Sequence, residues 1–489
     1  MTRTPADAVV AAHNLTLPTI AYIRLVAPDD GERRQLRTRL DAHLAAERDA
    51  CVQTLLGYVD VGGVSATGEG IERAAAYAAD LLRDAGLEAA VEPGDGHPFV
   101  VGRSPHVAGA PTVLIYGHYD VQPAGPLEAW TSPPFAACVR DGRVYGRGTG
   151  DNKGQHLAHV LGYRAWRTLA DGPSLNVIFL LDGEEEIGSP GLTPFVARHR
   201  ERLAADVVVW SDGAVHDSAR PSVDHGVRGA ILFELHARDD ARGVLHSGNW
   251  GGIARNPGWS LVHLLASMLS PEGEITIDGF HDGIEPPTPA ERDALAELEP
   301  LYRAAAGEIG ITRLAAPEDR SVAERLVVHP VLTLEAMKVG DGGEGARPVV
   351  PTAAAAYCDV RLVPGQRVER VVAAIRRHVE RHAPGVELVV NGGMEPSRTP
   401  FDAPFAQAVR DGVRLGTGIE PLRVPAIGGG LPLSAFTDVL GAPCFGIPLA
   451  NADEANHAPD ENIELARFLD GIMTSACVLD AIARAPEAA

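Results

Sequence analysis

Cysteine is scarce in this 489-residue chain. Cys51, Cys138, Cys358, Cys444 and Cys477 are scattered and odd in number, and no CxxC pair occurs. That pattern speaks against a disulfide framework and against a cysteine-type zinc site. Positive charge is also short. Lys and Arg total 43 against 65 Asp and Glu, a formal charge of -22. Nucleic acid is therefore not expected as the main partner, whereas solubility and cation binding are favoured. No stretch approaches the roughly 18–20 apolar residues of a membrane span, and the first residues show no secretory apolar region. The expectation is a cytoplasmic protein with no membrane partner. Internal repeats and low-complexity tracts are lacking too. What is present is ordinary globular composition, 45% hydrophobic and 22% charged, at a length that suits two or three domains.

The apolar pattern predicts a helix from Asp30 to about Val59, with Leu36, Leu40, Leu44, Cys51 and Leu55 near a 3.6-residue period. A second helix is expected over Thr67–Ala85, closed by Gly86. Short apolar strands follow, several ending in polar residues. Thr112–Tyr116 leads into Gly117-His118-Tyr119-Asp120, Leu175–Leu181 into Asp182-Gly183-Glu184-Glu185-Glu186, and Val207–Trp210 into Ser211-Asp212-Gly213. Arg143–Tyr145 leads into a glycine-rich turn and Asp151, with a helix expected over Asn152–Leu169. Apolar strands alternating with helices read as an α/β sheet buried on both faces, whose ligands gather at strand C-terminal ends. After Arg228 the texture changes. Ala230–Ala237, Ala353–Val363 and Val386–Val390 read as strands, Ile253–Leu269 and Val368–His382 as helices, and Asp282–Arg292 as a loop leading into a helix. They suggest an α+β layer inserted into the first domain, whose sheet the tail after Phe401 completes.

The strand ends carry His118, Asp120, Asp151, Glu185, Glu186 and Asp212, and His457 follows in the tail. Five of these, His118, Asp151, Glu186, Asp212 and His457, are imidazole or carboxylate ligands suited to Zn²⁺ or a similar divalent ion. Carboxylates buried at such density take up protons or collect cations, and a pair of ions sharing one bridging carboxylate relieves the repulsion. Taken singly, each piece has an ordinary reading: GHxD as a turn with a satisfied histidine, three glutamates as a solvated loop, Asp-Gly as a turn. The Gly146–Gly150 run lacks the GxxxxGK[ST] spacing of a phosphate loop. Their joint placement at strand ends favours one metal site.

Together the motifs GHYDVQP (Gly117–Pro123), WTSPPF (Trp130–Phe135), DGRVYGRGTGDNKG (Asp141–Gly154), DGEEEIGS (Asp182–Ser189), SDG (Ser211–Gly213), HSGNWGG (His246–Gly252) and NHAPDENI (Asn456–Ile463) resemble the M20 metallopeptidases, a family of dipeptidases, aminoacylases and deacylases. The likeness runs from about Leu40 to Leu479. It implies a two-domain α/β hydrolase with a mixed, mostly parallel sheet: a discontinuous catalytic domain (1–228 and 392–489) and an inserted α+β lid and dimerisation domain (229–391). It implies two divalent ions, zinc foremost with manganese or cobalt compatible. Asp151 would bridge them, His118 and Asp212 completing one ion and Glu186 and His457 the other. Asp120 would orient His118, and Glu185 would be the general base for the attacking water. His246 would stabilise the oxyanion in the partner subunit of a homodimer, and Arg361 would hold a substrate carboxylate. The expected substrate is a dipeptide or N-acyl amino acid. Alternatives are an amidohydrolase or amide-forming enzyme of a specialised pathway, or a non-catalytic binding protein on the same fold. Two departures fall on substrate recognition. Gly430 stands where the family's dipeptidases carry a serine that binds substrate carboxylate, and Gly340–Gly345 lacks the usual aromatic residue. The first 35 or so residues precede the family's usual start.

Overall fold

The computed structural model describes residues 31–170, 174–215, 220–239, 241–311, 321–340 and 347–485. Most of the leading segment, and positions 341–345 of the Gly340–Gly345 stretch, lie outside them. Among the described residues the largest sheet has eight strands, in the spatial order Glu88–Glu92, Phe99–Arg103, Asn176–Asp182, Thr112–His118, Val207–Trp210, Cys444–Gly446, Ser222–Asp224 and Leu422–Val424. Its centre is parallel. Thr112–His118 pairs in parallel with Asn176–Asp182 on one side and Val207–Trp210 on the other, while antiparallel pairings enter toward the ends. Every residue of Asn176–Asp182 is buried, as a strand covered on both faces requires.

One face carries Gly31–Asp60, Ile71–Asp84, Lys153–Leu169, Ala406–Thr417 and Leu465–Ala483 over a continuous core that includes Leu55, Ile115, Phe179, Val209 and Ile472. The other is closed by Leu192–Arg198 and Ala435–Leu440, with Leu114, Leu180, Phe195, Trp210 and Phe436 between. Each such buried aliphatic or aromatic side chain contributes about 1.5–3 kcal/mol. The tail completes this sheet through Leu422–Val424 and Cys444–Gly446. Where the sequence suggests a helix from Thr67, the chain is helical only from Ile71, because Gly68 and Gly70 hold φ of 74° and 75°, a left-handed backbone that a right-handed helix cannot include.

The inserted region builds a four-stranded antiparallel sheet in the order Val331–Val339, Ala353–Leu362, Gly229–Arg238 and Val386–Met394. Helices Pro257–Met268 and Val368–His382 cover one face over a separate core containing Ile231, Phe233, Leu264, Val360 and Ile375. Helix Pro257–Met268 starts later than the pattern suggests, because the Asn256 side chain caps it and Pro257 takes the first turn. Part of the insertion returns to the first sheet. Pro289–Glu308 and Val322–Val327 pack Leu295, Leu298 and Val327 against Leu422 and Val424 of its edge strand. Beside the chain's two crossings, Ser397–Arg398 pairs with Gly226–Val227. No helix among the described residues is long and apolar enough to cross a membrane.

Candidate metal centre

His118 ends its strand at the centre of the large sheet, fully buried. Its Nδ1 lies 3.1 Å from the Asp120 carbonyl and 3.3 Å from Asp120 Oδ1. A proton held there leaves Nε2 free as a donor to a metal. That Nε2 lies 3.0 Å from Asp151 Oδ1, 3.5 Å from Asp212 Oδ2 and 3.9 Å from Glu185 Oε2. The second Asp151 oxygen turns the other way: His457 Nε2 lies 3.0 Å from Asp151 Oδ2 and 3.1 Å from Glu186 Oε2. Two donor groups result, His118 with Asp151 and Asp212, and Asp151 with Glu186 and His457. They share Asp151, one oxygen to each.

Electrostatics follow from this crowding. Burial pushes the Glu185 carboxyl well above the usual range, and Asp212, Asp151 and Glu186 add to it. Burial raises Asp212 and Glu186 as well. Burial opposes charge on His118, yet Asp120, Asp151 and Asp212 hold its ring well above the ordinary histidine value. Contacts with Asp151 and Glu186 lift His457 to about 10. Four carboxylates and two imidazoles at these distances call for added positive charge. Hard oxygen and borderline nitrogen donors with no thiolate suit a divalent ion such as zinc or manganese.

The three consecutive glutamates have different surroundings. Glu184 is buried and accepts from the backbone amides of His97 (2.8 Å) and Gly191 (3.1 Å), so it fastens neighbouring loops. The Asp120 carboxylate accepts from the Glu185 amide at 3.2 Å and the Glu186 amide at 3.1 Å. It thereby sets both glutamates and His118 in register. Gln122 donates from its side chain to Glu186 Oε2 at 3.0 Å.

Several positioning groups escape the sequence reading. Glu461, fully buried, accepts from the amides of Gly148 (3.0 Å), Gly150 (3.0 Å) and Asp151 (3.1 Å) through one oxygen, and from Arg147 Nη1 at 2.6 Å through the other. It shapes the loop that presents Asp151. Lys153 is buried and donates to the carbonyls of Tyr58 (3.1 Å) and Gly62 (2.5 Å), and burial brings its pKa down to about 7. Asn152 Nδ2 donates to the Ser211 carbonyl at 2.6 Å, tying the Asp151 loop to the strand end that carries Asp212. The motifs contain all of these residues. Nothing in the linear string shows that they face one another.

The residues that the resemblance assigns to substrate recognition gather only in part. Arg361 donates through Nε to Asp359 at 2.9 Å and is half-exposed. A Cβ built on Gly430 would lie 4.0 Å from Arg361 Nη1, so these two share a neighbourhood. His246 sits in the short pairing of Leu245–His246 with Val349–Val350, exposed. Its Nδ1 accepts from the Gly248 amide, and none of the metal-centre side chains is among its partners.

Comparison with known proteins gives a consistent picture. A family model for peptidase family M20/M25/M40 matches residues 114–481. A human Beta-Ala-His dipeptidase is 28% identical over 371 residues, covering 74% of this chain and 72% of its own. A Cys-Gly metallodipeptidase of Schizosaccharomyces pombe is 28% identical over 391 residues, covering 77% and 80%. Among solved structures, an M20 family metallo-carboxypeptidase from Sulfolobus solfataricus superposes with a TM-score of 0.82 at 29% identity, over 88% of this chain and 99% of that one.

Proposed function

Because the chain belongs to peptidase family M20/M25/M40, and so is a metal-dependent hydrolase, we propose that it cleaves the amide bond of a dipeptide or N-acyl amino acid at a two-ion centre. The observation that carries this reading is Asp151, whose two oxygens face separate donor groups while Glu185 stands 3.9 Å from His118 Nε2. His118, Asp151 and Asp212 would hold one ion, and Asp151, Glu186 and His457 the other. Zinc suits this donor set best. Bound there, the ions would supply Lewis-acid polarisation of the scissile carbonyl and acidify water. Glu185, raised by burial, is the general base: it takes the proton of the attacking water and returns it to the leaving amine. Asp120 fixes the His118 ring and the amides of both glutamates. Arg361, with Nη1 beside Gly430, holds the substrate's carboxylate as a planar fork.

In this reading residues 229–391 form a lid that also builds a homodimer, with His246 completing the partner's oxyanion site. Two features support it. Strand Val331–Val339 is an edge of its sheet, with Leu334 and Val339 exposed, and such edges invite pairing. Nearby in sequence to His246, Trp250, Ile253, Trp259 and Val262 are exposed apolar residues.

The test pairs a panel of dipeptides and N-acyl amino acids with metal analysis of wild type, Glu185→Gln and Glu186→Gln. Glu185→Gln should keep its metal while kcat falls at least about 10²-fold. Glu186→Gln should lose metal, since a neutral amide is a poorer ligand. Near wild-type kcat in metal-replete Glu185→Gln removes that residue from the chemistry.

A further inference from the structure

Strand Ala353–Leu362 turns Cys358, Val360 and Leu362 into the core beneath the two helices of the inserted sheet. Side chains alternate along a strand, so Asp359 and Arg361 stand together on the opposite face. Across the neighbouring strands Arg361 pairs with Ala230 and Val331, and Asp359 with Leu232 and Thr333. None of these four carries charge. The acid that Arg361 meets is Asp359, whose Oδ2 accepts from Nε at 2.9 Å.

That contact uses one edge of the guanidinium and leaves another. Nε belongs to the side edge, so a carboxylate held there leaves the end edge, Nη1 with Nη2, free to form a planar fork. Neither Nη has a hydrogen-bond partner among the described residues, and neither is shut away from solvent. Nη1 is the atom that faces Gly430. Asp359 is the reverse: it is 7% exposed, and its Oδ1 is buried without a partner among the described residues. A carboxylate satisfied on one side only is costly to keep. Its contribution is a fixed direction for a long, rotamer-rich side chain. Charge agrees with this. Burial first and Arg361 next bring the Arg228 pKa down to about 10, and Asp359 opposes them. Arg228 Nη1 and Nη2 are spent on the carbonyls of Leu326 and His329. Two guanidiniums and one carboxylate leave one positive charge, which only Arg361 can present, and one carboxylate matches it.

We propose that Asp359 is a positioning residue for substrate: by holding Nε it aims the Nη1–Nη2 edge of Arg361 at the substrate's terminal carboxylate beside Gly430. The proposal rests on the role given to Arg361 above and adds the group that makes that role directional.

The test is calorimetric binding to metal-loaded Glu185→Gln, with alanyl-leucine and alanyl-leucinamide as probes that differ only at the carboxylate. In this parent the acid should bind at least about tenfold tighter than the amide, and Arg361→Met should erase the difference. Asp359→Ala should weaken alanyl-leucine at least about tenfold, leave the amide within about twofold, and add nothing to Arg361→Met. Asp359→Asn, which keeps an oxygen for Nε, should recover most of the loss. Asp359→Ser, too short to reach Nε, replaces the alanine variant if that one unfolds. Undiminished acid binding in Asp359→Ala, equal loss on both probes, a further loss on top of Arg361→Met, or no recovery in Asp359→Asn would each overturn the proposal while leaving Arg361 in place. An Arg361→Met protein that still prefers the acid, or a parent with no preference, would remove Arg361 from the substrate site and the proposal with it.

Discussion

Replacing Glu461 by glutamine changes one atom and should cost the protein several kcal/mol. The carboxylate is fully buried, with one oxygen on three backbone amides and the other 2.6 Å from Arg147 Nη1. Glutamine keeps the carbonyl that serves the amides. It places an NH₂ group against a guanidinium, so two donors meet and Arg147, itself only 1% exposed, becomes an uncompensated buried cation. Breaking a buried pair from one side costs about 3–5 kcal/mol. Removing the cation as well should recover much of that, because Arg147→Met/Glu461→Gln leaves the amides satisfied and no charge stranded. The double variant should lie within about 2 kcal/mol of wild type. Urea unfolding of the four proteins completes the cycle. A Glu461→Gln protein within about 1 kcal/mol of wild type, or a double variant no better than the single, would show that the Arg147–Glu461 pair does not hold this loop. Metal content measured in parallel should fall in Glu461→Gln, since the loop it shapes presents Asp151.

Asp224 offers a pH test. It is 2% exposed, its Oδ1 has no partner among the described residues, and burial raises its pKa from 3.8 to about 7. The folded chain thus keeps a proton that the unfolded chain has lost, so stability falls as pH rises between about 4 and 7. At about 1.4 kcal/mol per unit, Asp224→Asn should gain up to about 4 kcal/mol above pH 7 and almost nothing at pH 4; equal gains in urea melts at both pH values refute this. At Gly430, a Cβ would approach the Arg228 carbonyl and Met394 Sδ at 3.2 Å each, a tight fit that small shifts relieve. Gly430→Ser should therefore fold and raise kcat/KM for dipeptides with a free carboxylate relative to their amides; an unchanged ratio counts against Gly430 as a specificity position. For the dimer, mixing His246→Ala with Glu185→Gln should restore activity that each lacks alone. Verified subunit exchange without recovery, or a fully active monomer, sinks the shared site.

Much of the large sheet is legible in the sequence, because strands buried on both faces must be nearly all apolar, as Asn176–Asp182 and Val207–Trp210 are. Val368–His382 is read to the residue, since its two faces differ sharply along its whole length. The glycines ahead of Ile71 are harder: composition shows them, but only the fold shows which adopt positive φ. The candidate ligand residues are visible as residue types, most of them at strand ends. Their division comes only with the family resemblance, not from the residue types themselves. Glu184, Glu185 and Glu186 look alike in the string and differ only in what the fold brings to them: two loop amides, His118 Nε2 and His457 Nε2 respectively. Glu461 is invisible for the same reason. It meets amides more than 300 positions away.

The way the inserted sheet is hung has a mechanical consequence. It joins the rest of the molecule where Gly226–Val227 and Ser397–Arg398 pair side by side, and again where Pro289–Glu308 and Val322–Val327 rest on Leu422–Val424. At the join, Arg228 ties itself to the carbonyls of Leu326 (3.0 Å) and His329 (2.7 Å), linking the two attachments. A third tie runs from the Arg367 guanidinium, just ahead of helix Val368–His382, to the Asp438 carboxylate on the first domain. Attachment at several points resists a free swivel of the sheet that bears Arg361, and so keeps Arg361 in the neighbourhood of Gly430.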